Sequence, residues 1–263
     1  MKAGDSINGK ILLSNASDEA VEVDVTTQDF IPLAGAEGLQ FVDHAPGLTS
    51  VKDWITIAGG KKFTLKKGES KEISYVINAP LNAEPGSHFG VAFFKAVKVS
   101  DAVQQLKIGT QVGMLVLVTI PGNHLQKGTI LNFSTDSFVQ GGPINFKMKF
   151  ENTGTVHFEP KGTIKISNML GQEVGSVPIN GQVVLPTGIK DLNFTWNVAS
   201  LLLGRYSALA SVVDGEGNVL TSNTVTFYAF PIWYILAFFT TLAVLFFGIK
   251  LFKRKFKFSV SVR

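Results

Sequence analysis

From Phe227 to Ile249 the chain runs 23 residues without a charge, and the run ends in Lys250 and the cluster Lys253-Arg254-Lys255. A helix rising about 1.5 Å per residue over that length spans the roughly 30 Å hydrocarbon layer of a bilayer. A helix buried in a protein core needs neither this length nor a terminal basic block. The expected arrangement is therefore a transmembrane helix at 229–252 followed by a basic cytoplasmic tail at 253–263. Pro231 suits the first helical turn, where its missing N–H costs nothing. Tyr228, Trp233 and Tyr234 make an aromatic belt at the entry side.

Orientation follows from positive charge, which is retained on the cytoplasmic side of a membrane helix. No Lys or Arg lies between Arg205 and Lys250, whereas six lie among the last fourteen residues. The tail is thus expected inside and everything before Phe227 outside. An exported segment of that size needs a signal, and Met1-Lys2-Ala3-Gly4-Asp5 has no apolar signal core, so a missing upstream segment is expected.

The same tail accounts for the basic pI. Without it, 18 basic residues face 20 acidic ones, so no basic face remains to bind nucleic acid. With 45% hydrophobic and 17% charged residues the chain is too apolar for disorder. No cysteine is present, which excludes disulfides, thiolate metal sites and cysteine nucleophiles. Core burial alone must stabilise the exported part, and 226 residues suffice for two domains.

Residues 5–228 read as short alternating or apolar strands between turns such as Lys67-Gly68 and Glu84-Pro85-Gly86, with no sustained helical period. The spacing predicts an all-β fold: two tandem immunoglobulin-like antiparallel β-sandwiches, at 1–121 and 122–228, divided at Pro121-Gly122-Asn123. Two stretches fit a compact sandwich poorly. Phe30 to Asp53 is a 24-residue connection holding at most a short strand at Leu39 to Val42, and Ser100 to Thr110 reads as a long hairpin excursion.

Gly4-Asp5-Ser6, Asn15-Ala16-Ser17-Asp18, Asp29-Phe30, Trp54-Ile55, Leu65-Lys66-Lys67-Gly68-Glu69-Ser70, Ala79-Pro80 and Glu84-Pro85-Gly86-Ser87-His88 resemble the first module of the WxL-interacting surface proteins of Gram-positive and related bacteria. Asn152-Thr153-Gly154-Thr155-Val156-His157, Leu185-Pro186, Gly204-Arg205-Tyr206 and Phe227 with Pro231 resemble the membrane-proximal module. The resemblance implies peptidoglycan binding by the first module and host or partner-protein binding by the second. It also implies an initial strand ahead of Gly4, which leaves the first sandwich short of an edge strand.

Individual motifs favour structural roles. Asn152-Thr153-Gly154 is a turn, because Asn and Gly tolerate positive φ. Tyr206 sits where a sandwich corner is pinned by a tyrosine hydroxyl. Trp54 is expected in the core. Asp214-Gly215-Glu216-Gly217-Asn218 lacks the downstream bidentate Glu of an EF-hand and reads as a hairpin turn. His44, His88, His124 and His157 show no metal-ligand spacing, and no nucleophile motif, phosphate loop or carboxylate pair stands out. No cofactor and no catalysis are expected.

The leading functional expectation is a membrane-anchored surface protein that binds cell-wall peptidoglycan or partner surface proteins through loops and open sheet edges. A non-catalytic stalk or accessory subunit of a membrane assembly is the alternative. Phe41, His44 and Leu48, in the longest connection, are the candidate binding residues. With an export signal supplied, protease added to intact cells should digest the sandwiches and leave Lys253 to Lys257 protected. Labelling of the tail from outside would reverse this topology.

Overall fold

The computed structural model describes residues 1–45, 50–98 and 109–255. The first half contains β1 (Ser6–Ser14), β2 (Val21–Pro32), β3 (Leu39–Val42), β4 (Ile55–Ile57), β5 (Lys62–Leu65), β6 (Ser70–Asn78), β7 (Gly86–Lys98) and β8 (Gly109–Ile120). One sheet runs β1-β6-β4 and the other β3-β2-β7-β8, with β5 also on β2. Val21, Val23, Val25, Ile77, Phe94, Val116 and Val118 meet between them, and Trp54 joins this core at 3% exposure. The short strand expected at Leu39 to Val42 is present, paired antiparallel with the end of β2. The expected excursion at Ser100 to Thr110 falls outside the described residues except for Gly109 and Thr110, which belong to β8.

The second half contains β9 (Gly128–Thr135), β10 (Phe138–Val139), β11 (Ile144–Asn152), β12 (Lys161–Asn168), β13 (Glu173–Asn180), β14 (Ile189–Trp196), β15 (Gly204–Val213), β16 (Val219–Thr221) and β17 (Val225–Ala229). Its sheets run β14-β11-β9 and β10-β17-β15-β12-β13, with β16 also on β15. Pairing is antiparallel apart from the two-residue β10 to β17 contact. At that contact the chain has crossed from one sheet to the other after β9.

Strand periodicity explains how these sheets close. In β11, Ile144, Phe146, Met148 and Phe150 point inward and are at most 1% exposed, while Asn145, Lys147 and Lys149 take the other face. Each buried Phe contributes about 1.5–3 kcal/mol of transfer free energy. Phe146 stacks on Phe133 with ring centroids 5.7 Å apart, and Tyr206 stacks on Phe227 at 5.4 Å. The Tyr206 hydroxyl accepts the Leu203 main-chain N–H at 3.1 Å, which pins the corner before β15 as expected of a corner tyrosine.

Asn152, at the end of β11, is fully buried. Its amide donates to the carbonyls of Val156 and Val184, at 2.9 and 2.8 Å, and its oxygen accepts the Gly154 N–H at 2.8 Å. The side chain thus ties together three main-chain groups around the turn, of which the Val184 carbonyl also accepts the Phe158 N–H at 3.3 Å.

β7 differs from every other strand. Its first nine residues, Gly86 to Phe94, are all buried, so both faces of the sheet are covered there. One face lines the core of the first sandwich. On the other, Phe30, Phe89, Val91 and Phe93 form a separate apolar cluster with Leu185, which belongs to the second half. The two sandwiches therefore share a packed interface.

An α-helix, α1 (Ile232–Lys255), follows β17. Its apolar stretch Ile232–Lys253 is 22 residues, long and apolar enough to cross a membrane, and none of it is buried against the sandwiches. A soluble core helix would be covered, and this one exposes Trp233, Phe238, Phe246 and Phe252 alike.

Replacing Asn152 with Ala should cost about 3 kcal/mol in denaturant unfolding of the full chain, because buried main-chain groups lose their partners. Asn193→Ala, at an exposed position of β14, should stay within about 0.5 kcal/mol. Equal effects would show that the Asn152 bonds do not stabilise the fold.

Candidate functional site

Among the described residues β8 is the outer strand of its sheet, paired only with β7. Its twelve residues, Gly-Thr-Gln-Val-Gly-Met-Leu-Val-Leu-Val-Thr-Ile, contain no charge and no proline. Alternation sends Val116 and Val118 into the core and turns Leu115 and Leu117 to the opposite face. Val112, Leu115 and Leu117 remain 61%, 47% and 37% exposed. At the far end of the strand the Met1 ammonium donates to the Thr119 carbonyl at 3.3 Å.

The face carrying Leu115 and Leu117 opens into a cleft of about 330 Å³ between the sandwiches. Phe30 and Leu39 wall it from the first sandwich, and Val183, Leu185 and Ile189 from the second. One ion pair stands at this cleft, Lys190 Nζ to Glu37 Oε1 at 2.7 Å. The hydrogen bond from Lys190 holds the Glu37 carboxyl below the usual carboxylate range.

Beside the cleft, a polar joint ties β7 to the second sandwich. Ser87 donates its main-chain N–H to the Thr155 carbonyl at 3.3 Å, and its Oγ accepts the His157 N–H at 3.0 Å. The same Oγ shares a 2.8 Å hydrogen bond with His157 Nδ1, and the His157 ring meets Phe89 edge-on at 5.9 Å. Ser87 and His157 lie 70 positions apart, and no local motif marks them as a pair. Ser87 is 3% exposed and its hydroxyl is committed to the joint, which suits a structural pin better than a nucleophile.

The loop candidates separate into different environments. Phe41 lies on β3 and packs edge-on against Phe93 at 5.0 Å and Phe30 at 6.4 Å, so it caps the outer cluster while staying 45% exposed. His44 is exposed, with Asp43 at 3.1 Å and Asp53 at 3.7 Å. Leu48 lies outside the described residues. The described part of the connection is more regular than its composition suggests, because Phe30 to Pro32 still belongs to β2, Leu39 to Val42 forms β3, and Asp29 is fully buried beside it. The Asp29 carboxylate accepts the Ala45 N–H at 2.8 Å, the Ser50 hydroxyl at 2.6 Å and the Lys52 N–H at 2.9 Å. Its only sequence signal is an acidic residue at the apolar end of a strand.

Asp214 closes the β15 to β16 hairpin, accepting the N–H groups of Glu216 and Asn218 at 3.0 and 2.8 Å. His88 is buried against Trp54 at 4.9 Å, with Nε2 bonded to the Glu84 carbonyl. Among the described residues no group of three or more His, Asp or Glu converges as a metal site.

No protein-family model and no curated protein matches the chain. Solved structures of similar shape include the class 5 fimbriae chaperone CfaA, at 15% identity and TM-score 0.41, covering 88% of this chain and 95% of that one. The CupB2 chaperone of Pseudomonas aeruginosa aligns at 11% identity and TM-score 0.34, covering 84% and 92%. The CsuC-CsuE chaperone-tip adhesion subunit complex of Acinetobacter baumannii aligns at 10% identity and TM-score 0.38, covering 82% and 90%.

The joint generates a pH dependence. Burial between the sandwiches lowers the His157 pKa below its ordinary 6.5. Over the interval between the folded and unfolded values, the unfolded chain binds more protons, so stability is full above the unfolded value and falls as pH drops towards the folded one. Denaturant midpoints at pH 7.5 and 5.5 should therefore differ more for the parent than for His157→Gln. Equal differences would remove His157 from the acid response.

Proposed function

We propose that the chain is a non-catalytic binding protein, tethered to a membrane by α1 with its sandwiches outside, which docks an extended segment of a partner surface protein on β8. The resemblance to the WxL-interacting surface proteins is part of this reading, and so is the bilayer as the medium that covers the exposed apolar surface of α1. The basic tail would then remain on the cytoplasmic side.

The observation that carries the reading is the contrast between β8 and the other sheet edges. Unguarded edges recruit further strands, and proteins guard them with charge, proline, brevity or bulges. β3, β4 and β10 have four residues or fewer. β1 carries Lys10, β13 carries Glu173 and Pro178, β14 carries Lys190 and Asp191, and the pairing of β9 is broken by a register shift. β8 has twelve residues in unbroken register with β7 and none of these guards. Main-chain pairing with a partner strand covers such an edge.

Wall polymer fits the same surface less well. Saccharides need polar partners, and the cleft beside β8 is walled almost entirely by aliphatic and aromatic side chains.

A photo-crosslinking residue at position 115 of the full-length protein in its own cells should trap a discrete polypeptide. The same probe at Leu131, exposed on β9, should not. Val112→Lys should weaken the position-115 adduct about tenfold or more without lowering the melting temperature. Equal trapping at both positions, or adducts only with peptidoglycan, would overturn the reading.

A further inference from the structure

We propose that the cleft between the sandwiches is an anchor pocket for one large, uncharged apolar side chain carried by the strand that pairs with β8. The inference rests on the reading of β8 as a docking edge and specifies the partner's chemistry. In an added strand, side chains continue the alternation of the sheet, so residues set beside Leu115 and Leu117 project to the same face as those leucines. That face is the wall of the cleft. Only the partner residues set beside Leu115 and Leu117 are thereby aimed at the pocket.

The pocket continues an interface that already exists. Phe30 and Leu185 belong both to the packed cluster joining the sandwiches and to the cleft lining, so the cleft is the open end of that apolar joint. Leu39, Leu115, Leu117 and Val183 extend it outward and stay 37% to 47% exposed. A volume of about 330 Å³ lies at the small end of the roughly 300–1,000 Å³ typical of ligand pockets. It has room for a leucine-sized or aromatic side chain.

The charges present select against a charged anchor. Glu37 and Lys190 neutralise each other at 2.7 Å, so neither is left to balance an incoming ammonium or carboxylate. A charged side chain would lose its hydration without gaining a partner. An apolar one gains burial, worth roughly a tenfold change in affinity or more.

The test uses the full-length protein in detergent micelles and four fluorescein-labelled nine-residue peptides, alternating Thr and Val with Phe, Leu, Lys or Asp at the centre. Fluorescence anisotropy should show the Phe and Leu peptides binding at least about tenfold more tightly than the Lys and Asp peptides. Val183→Asp, on the rim of the second sandwich, should weaken the Phe and Leu peptides and, by supplying a carboxylate, strengthen the Lys peptide, so that the preference is lost or reversed. Leu39→Thr, on the opposite wall, should reduce it if Val183→Asp fails to fold. Val112→Lys should weaken all four peptides equally. Equal binding of the four peptides overturns the anchor pocket and leaves docking on β8 standing. Binding of none, with no adduct at position 115, overturns both.

Discussion

Two-sided burial of β7 is the constraint on which the architecture depends. Nine consecutive residues without exposure need cover on both faces of the sheet, and a sandwich supplies only one. The second cover comes from the other half of the chain through Leu185 and from β3 through Phe41. The joint between the sandwiches is thus a requirement of the first sandwich's central strand. Ser87 and His157 add direction to that apolar contact, because hydrogen bonds of 2.8 and 3.0 Å fix one relative placement where apolar packing alone would tolerate several. β8 inherits its position from the same strand, being paired with β7 along its whole length.

Periodicity made the strands legible, since alternation reports which face of a strand is covered. β11 alternates and has one buried face, and the near-continuous apolar run from His88 carries the signature of β7, covered on both. Tyr206, Trp54 and the strand at Leu39 to Val42 were readable for a related reason, because each role is set by neighbours in sequence or by side-chain type. α1 was readable because an unbroken apolar run of that length makes a helix long enough to cross a bilayer.

Periodicity does not say what supplies the cover. Leu185 looks like an ordinary loop residue until the fold sets it against Phe30 and Phe89, and the pairing of Ser87 with His157 exists only in three dimensions. Composition likewise misjudged the connection after Phe30. Glycine, alanine and proline suggested an irregular loop, but one buried carboxylate, Asp29, organises the segment through three hydrogen bonds. The cleft was hidden for the same reason as the joint, since its walls come from segments about 70 and 150 positions apart.

In the proposed docking, edge and cleft divide the work of recognition. Main-chain pairing along β8 supplies affinity that is nearly blind to sequence, and an edge with that property alone would pair with any exposed strand. A pocket on the same face converts pairing into selection, because only a register that places an apolar side chain opposite Leu115 or Leu117 fills it. The width of that pocket is set by the joint, since Leu115 and Leu117 hang from the first sandwich and Val183 and Leu185 from the second. Protonation of His157 opposes its burial in the joint, the element that sets the spacing between the two walls.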